Sequence, residues 1–423
     1  MQSLLADWLR MENVVVLTAA GCSVKAGGRI MAGPAANNLE CLVIDAVKNC
    51  PLSSGAKGII DWKTKNGFGN GGFENWLSYL FSNSDFSSDP SSPIETINWK
   101  SCGLIPDSEI AILKRYLERA IFAECALTLP PFGEAENEKI TGHIPFLAKL
   151  IARDANLGRT HLFTLNYDTL FEQAMDQLGI QYFDGFSGSA KPKFDPSVYG
   201  LDIYYPGDVA EGRVRRFDNF LQFYKLHGSI HWYQDKDGTF SCRHEDLSFA
   251  EKYRSSDVSN KSNLLQSERY KEIKSFGILP TSQKFSQTLG IPYAHLFRLF
   301  HSRLNQPQTF LIVAGYGFGD DHVTRIIETA LTNPSLVMLV IEPDPNGSIV
   351  KKIASYQSLG QRAFVLTTNL AEGASCTYEF ATFDDFAINV MPDVQWLEDF
   401  KNLRKFERQL ERDQEHLNGG GEV

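Results

Sequence analysis

Cysteine is scarce in this 423-residue chain, and what there is shows no pairing. Cys22, Cys41, Cys50, Cys102, Cys125, Cys242 and Cys376 are odd in number and scattered, and no Cys-x-x-Cys pair occurs. This argues against a disulfide framework and a structural zinc site, and it suits a reducing compartment. Long apolar runs are missing too. No segment approaches the roughly 20 uninterrupted apolar residues that span a bilayer. The opening MQSLLADWLRMENVVV mixes acids with its apolar residues and lacks the basic-then-apolar order of a signal peptide. A cytoplasmic protein is expected, with no membrane partner. There is no long Lys/Arg run, and the formal net charge is -10 with a pI near 5.5. Direct nucleic-acid binding is therefore not expected. No internal repeat occurs. With 43% hydrophobic residues the chain can bury a sizeable core.

The organising stretch is HLFTLNYDTLFEQA, His161 to Ala174. Leu162, Phe163, Thr164 and Leu165 read as a buried strand. Asn166-Tyr167-Asp168 reads as a turn, and Leu170, Phe171 and Ala174 recur at helical spacing. A polar turn at the C-terminal end of a buried strand is where an open α/β sheet builds its crevice. Asn166 and Asp168 are equally the residue types that cap a helix, so the stretch alone leaves both readings open.

Four other strand ends carry small or polar residues. Val14 to Leu17 is a continuous apolar run, as in a strand buried on both faces. Ala20-Gly21-Cys22-Ser23 follows, small enough for a backbone to approach a pyrophosphate, although a tight turn would look the same. It is not a Walker loop, because no Gly-Lys-Ser/Thr ending is present. Cys22 has no base beside it in sequence and reads as a small packed residue. Phe220 to Leu226 is strand-like and ends in His227-Gly228, where the histidine is either a crevice residue or a structural hydrogen-bonder. Phe310 to Ala314 opens into Gly315-Tyr316-Gly317, part of a dinucleotide fingerprint without its third glycine. Leu336 to Ile341 ends in Glu342, placed to bind ribose hydroxyls or to begin a Pro-rich turn.

Between the first and second strands the spacing predicts helices over 39–47, 73–81, 110–127 and 145–151, with a Ser/Asp/Pro loop after the second. Together they form a helical subdomain inserted over about 35–154. The segment 245–274 is charged and serine-rich and reads as a surface excursion. Trp396 to Leu417 carries Leu397, Phe400, Leu403, Phe406 and Leu410 on one helical face. It is either a docking or oligomerisation helix or a terminal helix packed on its own domain. The expected fold class is α/β: a Rossmann-like parallel sheet with a mainly helical inserted subdomain and a C-terminal helix. The sheet core comes from about 10–34, 155–235 and 276–345 of a 1–370 domain, followed by a 371–423 tail.

In their order along the chain the four motifs resemble the sirtuin family, and more closely its bacterial sirtuin-like branch. VVVLTAAGCSVKAGG is similar to the opening strand and Gly-Ala-Gly-x-Ser loop, with Gly21 and Ser23 in place. FTLNYD looks like the Thr-Gln-Asn-x-Asp motif through Thr164, Asn166 and Asp168. KLHGSI puts His227 on the catalytic histidine, and FLIVAGYGFGDDH resembles the later glycine loop. Three departures stand out. Ala19-Ala20 replaces the first loop glycine, Gly28-Arg29-Ile30-Met31 stands where Pro-Asp-Phe-Arg is usual, and the four-cysteine zinc module is absent.

The resemblance implies an enzyme that cleaves NAD to ADP-ribose and nicotinamide. Asn166 and His227 would be catalytic. Ala20, Gly21, Cys22, Ser23, Asp168, Gly315, Tyr316, Gly317 and Glu342 would bind NAD. No metal and no structural zinc are expected. Transfer or cyclisation of ADP-ribose, and NAD or ADP-ribose sensing without turnover, are the alternatives. Further implications are homo-oligomerisation, a protein partner such as a HerA-type ATPase or an Argonaute-like protein, and NAD depletion in antiphage defence.

Overall fold

A computed structural model describes residues 2–30, 38–52, 107–130, 141–153, 157–205, 216–235, 238–243, 247–266, 290–367 and 382–392, with short helical pieces between 56 and 77. The expected 82–93 loop, most of the 73–81 helix and the Trp396–Leu417 helix lie outside the described residues.

The continuous apolar runs become the strands of one parallel sheet. In chain order the strands are β1 (Asn13–Thr18), β2 (His161–Thr164), β3 (Gln181–Phe183), β4 (Phe186–Ser187), β5 (Lys193–Phe194), β6 (Phe220–Lys225), β7 (Trp232–Gln234), β8 (Phe240–Cys242), β9 (Thr309–Ala314), β10 (Leu336–Ile341) and β11 (Ala363–Leu366). Seven of them pair in the order β11-β10-β9-β1-β2-β6-β3, and every pairing is parallel. Successive side chains alternate between two cores, as strand geometry requires. Val14 and Val16 face a layer containing the Gln2–Leu9, His143–Ile151 and Leu170–Leu178 helices. Val15 and Leu17 face the layer of the Tyr293–Leu304, Asp321–Ala330 and Ser348–Ser358 helices. The protein is a three-layer, Rossmann-like α/β fold.

Chain order places the crevice. From β1 the chain passes to β2 and the outer strand β3, fills the place between them with β6, and then crosses to the other flank of β1 as β9. That reversal is the switch point, where neighbouring loops part and leave room for a ligand. β4, β5, β8 and β7 form a separate antiparallel sheet beside it.

The Leu39–Lys48 and Asp107–Cys125 helices build a third core on the insertion side. Here the segment read as a surface excursion turns out otherwise. It contains the Ser248–Ser255 and Val258–Leu265 helices, which bury Ala250, Tyr253 and Leu265 in that core. Lys261 Nζ, on the second of them, lies 2.8 Å from Glu124 Oε1 of the Asp107–Cys125 helix. Its charge density is therefore partly an internal ion pair.

Candidate active site

The ends of β1 and β9 are locked together by backbone. Ala19 N–H donates to Ala314 O at 3.1 Å and Gly21 N–H to Gly315 O at 3.0 Å. A Cβ on Gly21 would sit 2.6 Å from Gly315 Cα, and one on Gly315, at φ +64°, would sit 2.5 Å from Cys22 N. Both positions need glycine because two backbones occupy the space a side chain would fill. The Gly21 amide, expected to meet a pyrophosphate, is thus committed to Gly315. The loop continues as a 3-10 helix, Ala20–Ala26. Cys22 points inward: its thiol donates to Ala314 O at 3.3 Å, and burial pushes its pKa well above the ordinary range. It does not line the cleft.

The β2 turn carries a chain of hydrogen bonds. Asn166 Nδ2 donates to Ala19 O at 3.1 Å and to Ser23 Oγ at 2.9 Å. A carbonyl oxygen only accepts, so the Ala19 contact fixes which amide atom is nitrogen. Oδ1 is left as the acceptor a ligand can use. Ser23 Oγ donates in turn to Asp168 Oδ2 at 2.7 Å. Asp168 Oδ1 accepts from Leu170 N–H, the first amide of the Leu170–Leu178 helix, at 3.2 Å, so Asp168 supports the helix start from just before the Thr169 cap while Asn166 is held for the cleft. Lys225 Nζ donates to Asp168 O and lies 2.8 Å from Glu172 Oε1. Burial raises the carboxyl pKa of both Asp168 and Glu172, and the Lys225 charge pulls each back down.

The β6 turn delivers His227, only 4% exposed. Its Nε2 lies 3.2 Å from Nε2 of His322, on the first turn of the Asp321–Ala330 helix. Phe297 lies near both rings, with centroids 6.3 Å from His227 and 5.1 Å from His322.

All these strand ends open on one cleft of about 540 Å³. Ala20, Gly21, Ser23, Asn166, Asp168, His227, Gly315, Tyr316, Gly317 and Glu342 line it. Of the expected site residues, Cys22 alone does not. At the far wall Glu342 Oε1 accepts from Asp344 N–H at 2.9 Å, which fixes its carboxylate, and burial raises its pKa. Sequence reasoning missed Arg29, Glu124 and Asp320 in the lining and His322 behind His227. Arg29 stands in the run that departs from the family pattern, and that departure was its only signal. Among the described residues no group of three or more His, Cys, Asp or Glu could hold a metal ion, and no helix is long and apolar enough to cross a membrane.

Residues 160–358 match the SIR2-like domain family, which supports a sirtuin-like protein. The match spans β2 through the Ser348–Ser358 helix and contains Asn166, Asp168, His227, Gly315 and Glu342. The β1 loop lies before the matched residues, yet Asn166 is bonded to it. No curated protein matches the chain.

Proposed function

We propose that this protein hydrolyses NAD to ADP-ribose and nicotinamide. The observation that supports it is the meeting in one cleft of a neutral amide held by two hydrogen bonds, Asn166, and a buried imidazole, His227. Breaking the nicotinamide–ribose bond leaves positive charge on the ribose. An amide oxygen can orient a ribose hydroxyl or the attacking water without capturing that cation covalently. An imidazole can take the proton that water gives up. The carboxylate of Asp168 sits behind Ser23 and serves to hold the turn.

The cleft's volume is in the range of small-molecule sites. Glu342 at the end of β10 is placed for ribose hydroxyls on the adenosine side, as acidic residues are at strand ends in dinucleotide folds. Ala20 and Arg29, which also line the cleft, would meet the pyrophosphate between the two ends.

On the resemblance alone, the activity belongs to bacterial antiphage defence, in the cytoplasm, as a homo-oligomer working with a HerA-type ATPase. The helical insertion over about 35–154 of the 1–370 domain and the Trp396–Leu417 helix of the 371–423 tail would gate it. Incubating the purified full chain with NAD, alone and with its co-purifying proteins, tests the reading. Nicotinamide and ADP-ribose should form in equal amounts and His227→Ala should abolish both. NAD left intact in every case overturns it. A cyclic or protein-linked ADP-ribose product points instead to cyclisation or transfer at the same site.

A further inference from the structure

NAD hydrolysis produces a proton inside the cleft that His227 lines. The nicotinamide ring is cationic in NAD and leaves neutral, while water gives its oxygen to the ribose. One proton must therefore leave the cleft at each turnover. His227 is the group placed to take it, and it is 4% exposed.

His322 offers the way out. Two ring nitrogens 3.2 Å apart can bond only if one carries a hydrogen and the other presents its lone pair. The two imidazoles therefore share a proton, and the tautomer of one fixes that of the other. Phe297 lies near both rings and limits how they turn. His322 does not line the cleft, so it is not placed to touch the ligand. It is half-buried, closer to solvent than its partner, and exposed Asp321 adjoins it in sequence.

Resting on the NAD-hydrolase reading, we propose that His322 is a positioning residue that sets the tautomer of His227 and carries its proton to solvent. The water oxygen bonds to C1′ of the ribose as the C1′–N bond breaks, and both electrons of that bond stay on the nicotinamide nitrogen. The water proton goes to Nδ1 of His227. The proton already on Nε2 of His227 crosses to Nε2 of His322. His322, now an imidazolium, releases the proton on its Nδ1 to solvent, and once the product has left, proton exchange with water returns both rings to their starting tautomers. Nothing is oxidised or reduced, and no further reactant is needed.

The test uses the full chain and two variants. His322→Gln keeps a polar group toward His227 but cannot carry a proton. His322→Ala leaves space for an added imidazole. In dilute buffer both should lose roughly tenfold in kcat with KM unchanged, and added imidazole should restore His322→Ala in proportion to its concentration. ADP-ribose binding by calorimetry and the melting temperature of His322→Gln should match the wild type. Unchanged kcat in His322→Gln, or a loss that imidazole does not repair in His322→Ala, overturns the relay while wild-type turnover keeps the hydrolase reading intact. If His322→Ala does not fold, the buffer dependence of His322→Gln decides the matter: a loss that is the same in dilute and concentrated buffer overturns the relay. Wild-type protein that releases no nicotinamide overturns both.

Discussion

The β2 turn and the β6 turn hold their polar groups in different ways. Behind Asn166 runs a one-directional chain, from its amide to Ser23 to Asp168, with the turn's backbone tied to a buried lysine. Asn166 Nδ2 gives one hydrogen to Ala19 O and one to Ser23 Oγ, and turning the amide over would set its oxygen against the Ala19 carbonyl. Between His227 and His322 the bond can run either way, because imidazole nitrogens exchange the roles of donor and acceptor. The first arrangement fixes a geometry. The second leaves a proton able to move. The same cleft thus separates positioning from proton transfer.

Removing the cation under the β2 turn should have the largest effect. Lys225 is buried, and its charge is the largest factor opposing the effect of burial on Asp168 and on half-buried Glu172. Lys225→Met leaves buried Asp168 and half-buried Glu172 without it and should cost about 3–5 kcal/mol of stability. Denaturant unfolding measures this. A cost near zero would mean that the chain does not hold the turn.

Asn166→Ala should spare stability by comparison and cost activity, with nicotinamide release falling about a hundredfold as the ribose or water loses its orientation. Asn166→Asp should be no better, since a carboxylate oxygen cannot donate to Ala19 O. Steady-state kinetics check both. If Asn166→Asp kept wild-type kcat, hydrogen-bond direction would not matter at this turn, and the contrast with the histidine pair would collapse.

Ser23→Ala removes the middle link. Asp168 loses one of its donors and Asn166 loses one of its acceptors, which should cost about 1–3 kcal/mol. Activity should fall less than in Asn166→Ala, because the Ala19 contact still holds the amide. Thermal melts and kinetics on the same preparation would separate the two effects.

The sheet was legible because strands buried on both faces must be continuously apolar, as β1, β9 and β10 are. The strand ends were legible because small and polar residues interrupt such runs abruptly. What stayed hidden depends on contacts between distant segments. His322 sits in Gly-Asp-Asp-His, which reads as an ordinary helix start, and nothing local brings it to a residue 95 positions earlier. Lys225 looks like an edge residue at the end of an apolar strand until Glu172 and the Asp168 carbonyl are placed around it. The segment 245–274 hid two helices because, among the described residues, Ala250, Tyr253 and Leu265 enter the core amid polar residues such as Lys261 and Ser262 that are buried through an ion pair and a hydrogen bond, which blurs any apolar periodicity. Cys22 turned inward because Gly21 and Gly315 meet backbone to backbone, a contact that no spacing reveals.

A third histidine sharpens the contrast at the smallest scale. His143 begins the His143–Ile151 helix and packs edge-on against Phe171, at 4.7 Å between centroids, and Phe383, at 5.2 Å. Phe171 belongs to the helix whose start Asp168 supports, so this imidazole lies on the fixed side of the molecule. Among the described residues neither of its ring nitrogens has a hydrogen-bond partner, and burial lowers its pKa from 6.5 to about 3. The folded protein therefore holds the ring neutral. Above pH 6.5 this costs nothing, because the unfolded chain is neutral there too. As pH falls from 6.5 toward 3, the unfolded chain takes up a proton that the fold refuses, and stability drops by up to about 1.4 kcal/mol per pH unit. His161, buried and also depressed, pushes in the same direction, so the wild-type curve alone does not isolate His143. The difference between wild type and His143→Phe does. That difference should be flat above pH 6.5 and should move in favour of the variant below it. Curves that stay parallel down to about pH 4 would mean that the ring finds a proton acceptor in the fold, and that the fixed side is less fixed than its hydrogen bonds imply.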